Sequence, residues 1–122
     1  MAQIAIVTDS AANLPAELVT RYGIRVVPIR LYWDGDAYRD GVDITPSQLY
    51  QELRTRPDHL PSSSSPPVGD FVDVYRELLE TADAVVSIHL AAKLSATCAT
   101  ARQARSLLED ERVVVVDSGN AM

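Results

Sequence analysis

The segment Ile4-Ala5-Ile6-Val7-Thr8-Asp9-Ser10 runs from apolar residues straight into three hydrogen-bonding side chains, and Val113-Val114-Val115-Val116-Asp117-Ser118 repeats that order near the other end. Short continuous apolar runs of this kind fit strands buried on both faces, the usual state of a parallel sheet. Two such strands finishing in Asp-Ser give the sheet one shared polar edge. Ligands of open α/β sheets collect in the crevice outside the carboxyl ends of the strands, so the two dipeptides locate a candidate site without naming its ligand.

The intervening sequence supports the same class. Gln3–Thr8 reads as the first strand, and Asn13-Leu14-Pro15 as a helix start with proline in the first turn, Leu18, Val19 and Tyr22 on the apolar side, and Gly23 as the stop. Arg25–Tyr32 reads as a second strand in which Pro28, unable to donate a ladder bond, marks an edge or a bulge. Asp34-Gly35 supplies the positive φ of a type I′ hairpin turn, with Ala37–Arg39 as the return strand. Thr45-Pro46-Ser47-Gln48 is a capping box opening a helix through Arg54. Phe71, Val74, Tyr75 and Leu78 have the spacing of a helix with one buried face. Ala84–His89 is another strand, Ser95 caps a helix with Leu94, Cys98, Ala101 and Leu108 on one side, and Arg112–Asp117 is the last strand. This order predicts an α/β fold: a mostly parallel sheet with helices on both faces. Residues 57–67 (PDHLPSSSSPP) form the one low-complexity segment, open to reading as a linker, a disordered loop or a ligand-holding loop; composition favours a plain surface loop.

With 122 residues, 47% of them hydrophobic and 23% charged, the sequence suits one compact globular domain. No apolar run approaches the ~20 residues that span a bilayer, and the amino terminus has no secretory pattern, so a cytoplasmic protein without membrane insertion is expected. Cys98 is the single cysteine, which rules out an internal disulfide and a thiolate metal cluster. The net charge of −6 argues against nucleic acid and anionic lipid surfaces, which need a positive field.

At the carboxyl edge the sequence should gather Thr8-Asp9-Ser10, the serine segment, the turn 89–95 and Asp117-Ser118. Hydroxyls of Ser62–Ser65, with exposed amides at helix starts near Val68 and Ser95, can receive a carboxylate or phosphate. Asp9, Asp117 and Ser95 serve equally well as helix caps or turn formers. The five glycines form neither GxxxxGK nor GxGxxG, and no second aspartate follows Asp9 at two positions, where Ala11 stands. Ser10 lies in Asp-Ser-Ala, not in GxSxG. His59 and His89 are too few for a zinc site and read as solvent-exposed and packing residues respectively. No catalytic residue, metal or cofactor is expected on these grounds.

Taken in order and spacing, TDSAANLP, VVPIRLYWDGDAYRDGVDI, PSSSSPPVGDF, SIHLAAKLSATCATA and VVVVDS resemble the DegV family of bacterial fatty-acid-binding proteins over essentially the whole chain. The resemblance implies a non-enzymatic module that holds a long-chain fatty acid and presents its carboxylate to a separate fatty acid kinase. It also implies that residues 1–122 are an amino-terminal domain with the lipid-covering domain outside them, either as part of a longer protein or as a truncated paralogue that has lost its lid. The family's Thr-Ser-Gln-Pro-Ser loop falls on Ser63-Ser64-Ser65-Pro66-Pro67, so hydroxyls survive at the first two positions. Its Leu-Ser-Ser-x-Leu-Ser-Gly-Thr turn falls on residues 90–97, where both early serines are alanine, Ala91 and Ala92. Losing a side-chain bond to a charged group costs ~1.5–3 kcal/mol unless Ser95 and main-chain amides replace it. The implied ligand set is Ser63, Ser64, Ser95, Ala92, Ser10 and Asp9. Two other readings stay open: a phosphotransferase or hydrolase using Asp9 or Asp117, and a vestigial interaction domain that binds nothing small.

Overall fold

A computed structural model describes residues 3–12, 14–56, 58, 60–89 and 96–117. In chain order the strands are β1 (Ile4–Asp9), β2 (Arg25–Val27), β3 (Arg30–Trp33), β4 (Asp36–Arg39), β5 (Ser62–Ser64), β6 (Ala84–His89) and β7 (Val113–Asp117). The helices are α1 (Ala16–Tyr22), α2 (Pro46–Thr55), α3 (Val68–Leu79) and α4 (Thr97–Leu108). A parallel sheet in the order β2-β1-β6-β7 forms the centre, beside an antiparallel sheet in the order β4-β3-β5.

The central sheet buries one face under α3 and α4. Alternation puts Ala5 and Val7, Val85, and Val113 and Val115 on that face, where they meet Phe71 and Tyr75 of α3 and Ala101 and Ala104 of α4. Right-handed crossovers place α1 on the opposite face, because β1 connects to β2 in one direction along the sheet while β2 connects to β6 in the other. The α/β architecture with helices on both faces is therefore as the sequence predicts. The apolar side of α1 is not buried by the described residues: Leu18 is 39% and Tyr22 62% exposed. Gly23 ends this helix in the left-handed region at φ 62°, whereas Pro15 immediately precedes the helix instead of sitting in its first turn. Asn13 lies outside the described residues.

Two readings of the sequence need correction. Arg25–Tyr32 is not one strand with a bulge but two strands in different sheets, broken at Pro28 and Ile29. Pro28 has no amide to give, and the next amide, that of Ile29, donates to the Ser10 hydroxyl at 3.0 Å instead of to a ladder. The chain thus leaves the parallel sheet and enters the small one. The serine segment is likewise not a plain loop. Ser62, Ser63 and Ser64 pair antiparallel with Tyr32, Leu31 and Arg30, because the open edge of β3 offers backbone partners that outweigh serine's weak strand preference. Pro57 and His59 of that segment lie outside the described residues.

Local signals elsewhere hold. Asp34 and Gly35 both take positive φ, 50° and 85°, and turn β3 into β4. The Thr45 amide donates to Gln48 Oε1 at 2.8 Å, while the Gln48 amide donates to Thr45 Oγ1 at 3.3 Å. Replacing Thr45 by alanine should therefore cost about 1 kcal/mol, read as a lower urea midpoint with an unchanged slope. The predicted Ser95 cap falls outside the described residues; α4 is preceded by Ala96, which makes no side-chain capping bond.

Candidate anion-binding site

The central sheet changes direction of winding at β1 and β6, so the crevice for a ligand is at their carboxyl ends. Thr8 Oγ1 donates to the Ile88 carbonyl at 2.8 Å on one face of the sheet. On the other face Asp9 Oδ2 meets His89 Nδ1 at 2.7 Å, His89 Nε2 meets Ser87 Oγ at 2.5 Å, and Tyr75 donates its hydroxyl to Ser87 Oγ at 2.7 Å. Asp9 Oδ1 accepts the Ala11 amide at 2.9 Å. All of these side chains but that of Tyr75 come from β1 and β6; Asp9, Ser87, His89 and Tyr75 are at most 1% exposed and Thr8 is 4% exposed.

One arrangement of protons satisfies this row. Burial pushes the Tyr75 phenol up to about 12, with the Ser87 bond opposing, so Tyr75 stays protonated and donates. Ser87 can then donate to Nε2, which leaves the His89 Nδ1 proton facing Asp9 Oδ2. His89 is thus a bonded centre and not merely a packing residue, although its ring also meets Phe71 edge-on at 5.2 Å between centroids.

Asp9, His89 and Ser87 have the contacts of a hydrolase triad, but the serine faces inward. Its oxygen accepts from Tyr75 and the residue is 0% exposed, with no access for a carbonyl substrate. Asp9 has both carboxylate oxygens engaged and is 1% exposed, which disfavours it as a phosphoryl acceptor or a direct ligand contact. Burial pushes the Cys98 thiol up, keeping it protonated and unreactive.

The serine strand offers the accessible hydroxyls. Ser62–Ser64 are exposed, and Ser65 Oγ lies 3.3 Å from Thr100 Oγ1 in the first turn of α4. That contact sets the strand against the start of α4, where the Ala96 side chain makes no capping bond and the positive end of the helix dipole lies. Successive strand residues point to opposite faces, so Ser63 and Ser64 cannot both aim at one ligand group. Ser64 shares its face with Arg30, its direct partner on β3, and Arg30 is in turn held to Asp70 of α3 at 2.7 Å. Ser10 is placed otherwise: its hydroxyl accepts the Ile29 amide, and it lines a cleft of about 250 Å³ in which Thr8, Asp9 and Asp40 stand beside Leu14, Val26, Pro28 and Val42. Asp117 sits across from His89 at the end of β7. Ser95, Ala92, Ala91, Lys93 and Ser118 lie outside the described residues.

Among the described residues no three His, Cys, Asp or Glu side chains converge as a metal site. No helix of the described residues is long and apolar enough to cross a membrane.

Residues 3–122 match the family model for the uncharacterised DegV family. A DegV domain-containing protein of Caldanaerobacter subterraneus is 39% identical, with 100% of this chain and 45% of the relative covered. Protein DegV of Bacillus subtilis is 35% identical, with 94% and 41% covered. Among solved structures, a fatty-acid-binding DegV family protein from Thermus thermophilus superposes with a TM-score of 0.81 at 42% identity, covering 94% of this chain and 40% of that one. A stearic-acid-binding protein from Eubacterium ventriosum gives a TM-score of 0.87 at 34% identity, covering 97% and 41%. The chain spans less than half the length of these relatives. On fold, sequence and the extent of the match, it belongs to the DegV family.

Proposed function

We propose that the protein binds a long-chain fatty acid, with the carboxylate received between the serine strand and the start of α4. The observation that carries this reading is the contact of Ser65 with Thr100, which brings the exposed serine strand up to the first turn of α4. Hydroxyls, amides and the positive end of a helix suit an anion and offer no reactive group of their own. The likeness to fatty-acid-binding relatives selects a fatty acid among possible anions. Ser64 is the principal side-chain contact in this proposal. Asp9 and Ser10 shape the edge without touching the carboxylate. The cleft beside Ser10 mixes apolar Leu14, Val26, Pro28 and Val42 with Asp9 and Asp40, and it falls below the ~300–1,000 Å³ of usual ligand pockets. Most of an acyl tail would therefore be covered by a further domain of a longer protein, of which residues 1–122 form the amino-terminal part.

A non-enzymatic, cytoplasmic role follows in the same proposal: the carboxylate is held at an open sheet edge, where a separate fatty acid kinase would transfer a phosphoryl group to it. Palmitate titrations of two single variants test the clamp. Ser64→Ala should weaken binding by about tenfold and Ser63→Ala should leave it nearly unchanged, since only one of the two faces Arg30. The opposite ranking would move the clamp to the other face of β5. Normal binding by both variants would remove the serine strand from the site.

A further inference from the structure

The polar row Asp9–His89–Ser87–Tyr75 crosses the part of the core where α3 meets the sheet, and nothing in the binding chemistry uses it. Its neighbours there are apolar: Phe71, Val7 and Val85. Apolar contacts are non-directional and allow a helix to slide, whereas hydrogen bonds fix distance and angle. Tyr75 is the one member of the row on α3, and α3 carries the serine strand in two ways. It begins directly after Ser65 through Pro66 and Pro67, and its Asp70 holds Arg30, the strand partner of Ser64. A shift of α3 along the sheet would therefore shift Ser64 and Ser65 relative to the carboxyl ends of β1 and β6.

We infer that this row is the positioning device of the anion site, with His89 locked as the Nδ1–H tautomer between Asp9 and Ser87 so that Tyr75 can register α3, and with it the serine strand, against the sheet. The inference rests on the fatty-acid reading above. A fully bonded polar network specifies one arrangement of a core where an apolar one permits several.

The Tyr75→Phe/Ser87→Ala double variant separates positioning from stability. The change removes both partners of the Tyr75–Ser87 bond but leaves His89 Nε2 without the Ser87 hydroxyl, a cost of about 1–3 kcal/mol, so circular dichroism first establishes that the variant is folded. Its affinity for palmitate is expected to fall by about tenfold, while Ser87→Thr, which keeps the hydroxyl, should bind within about threefold of the parent. A second measurement needs no change in the row: in ¹⁵N–¹H correlation spectra near neutral pH, the imidazole assigned to His89 should show Nδ1 protonated and Nε2 bare. An Nε2–H tautomer overturns the inference whatever the variants do, and so does a folded double variant that binds palmitate like the parent. If the double variant fails to fold, single Tyr75→Phe takes its place with the same expected loss, and unchanged binding has the same consequence. A parent protein that binds no palmitate sinks the fatty-acid reading and the positioning role with it; unimpaired binding by the double variant sinks the positioning role alone.

Discussion

Replacing His89 by leucine should destabilise the protein by about 3–5 kcal/mol, the range for stripping one partner from a buried charged group. The Asp9 carboxylate would keep only the Ala11 amide, in a site where it is 1% exposed, and the Ser87 hydroxyl would lose its acceptor. Against the ~5–15 kcal/mol that holds a domain together, such a loss leaves a marginal fold. Urea denaturation of the single and double variants measures it. Asp9→Asn combined with His89→Leu should cost less than the sum of the two single changes, because no unpaired carboxylate then remains in the core. Strict additivity would mean that the two side chains do not depend on each other.

Phe71→Ala should have an effect of similar size, about 3–5 kcal/mol, through a different cause. Phe71 is fully buried, lies 5.9 Å from the Tyr75 ring between centroids, and meets the edge of His89. Truncation opens a cavity at the junction of α3 and the sheet that rigid neighbours on β1 and β6 cannot fill. Leu107→Ala on α4 is the control: at 63% exposure it should change stability by no more than about 0.5 kcal/mol. Equal urea midpoints for the two variants would contradict the assignment of Phe71 to the core.

The parts of this fold that are legible in the sequence are those decided locally. The apolar runs at Ile4 and Val113, the Asp34-Gly35 turn and the Thr45 capping box each carry their own cause within a few residues, and each appears where expected. The break at Pro28 is not local, since it depends on the Ser10 hydroxyl, nineteen residues earlier, taking the Ile29 amide. Strand β5 is not local either: four serines carry no pairing signal, and the open edge of β3 decides their conformation. The polar row had a readable half. Ser87 and His89 alternate with Val86 and Ile88, so they share the core face with Val85, and Asp9 shares the face of Val7. That parity marks two polar residues of β6 pointing inward, but it does not say that their partner stands eighty residues away. In the candidate site, Ser62–Ser64 are exposed, and their pairing as a strand is what divides Ser63 from Ser64.

The central claim is that the protein holds a fatty acid by its carboxylate. Native mass spectrometry of the protein as its gene encodes it, mixed with palmitate and with hexadecanol in equal amounts, tests this most directly. The two ligands share a chain length and differ at the headgroup, so helix-start amides and serine hydroxyls should select the charged one. The account predicts a one-to-one palmitate complex that hexadecanol does not displace. Absence of a palmitate complex, or equal occupancy by the alcohol, would contradict it.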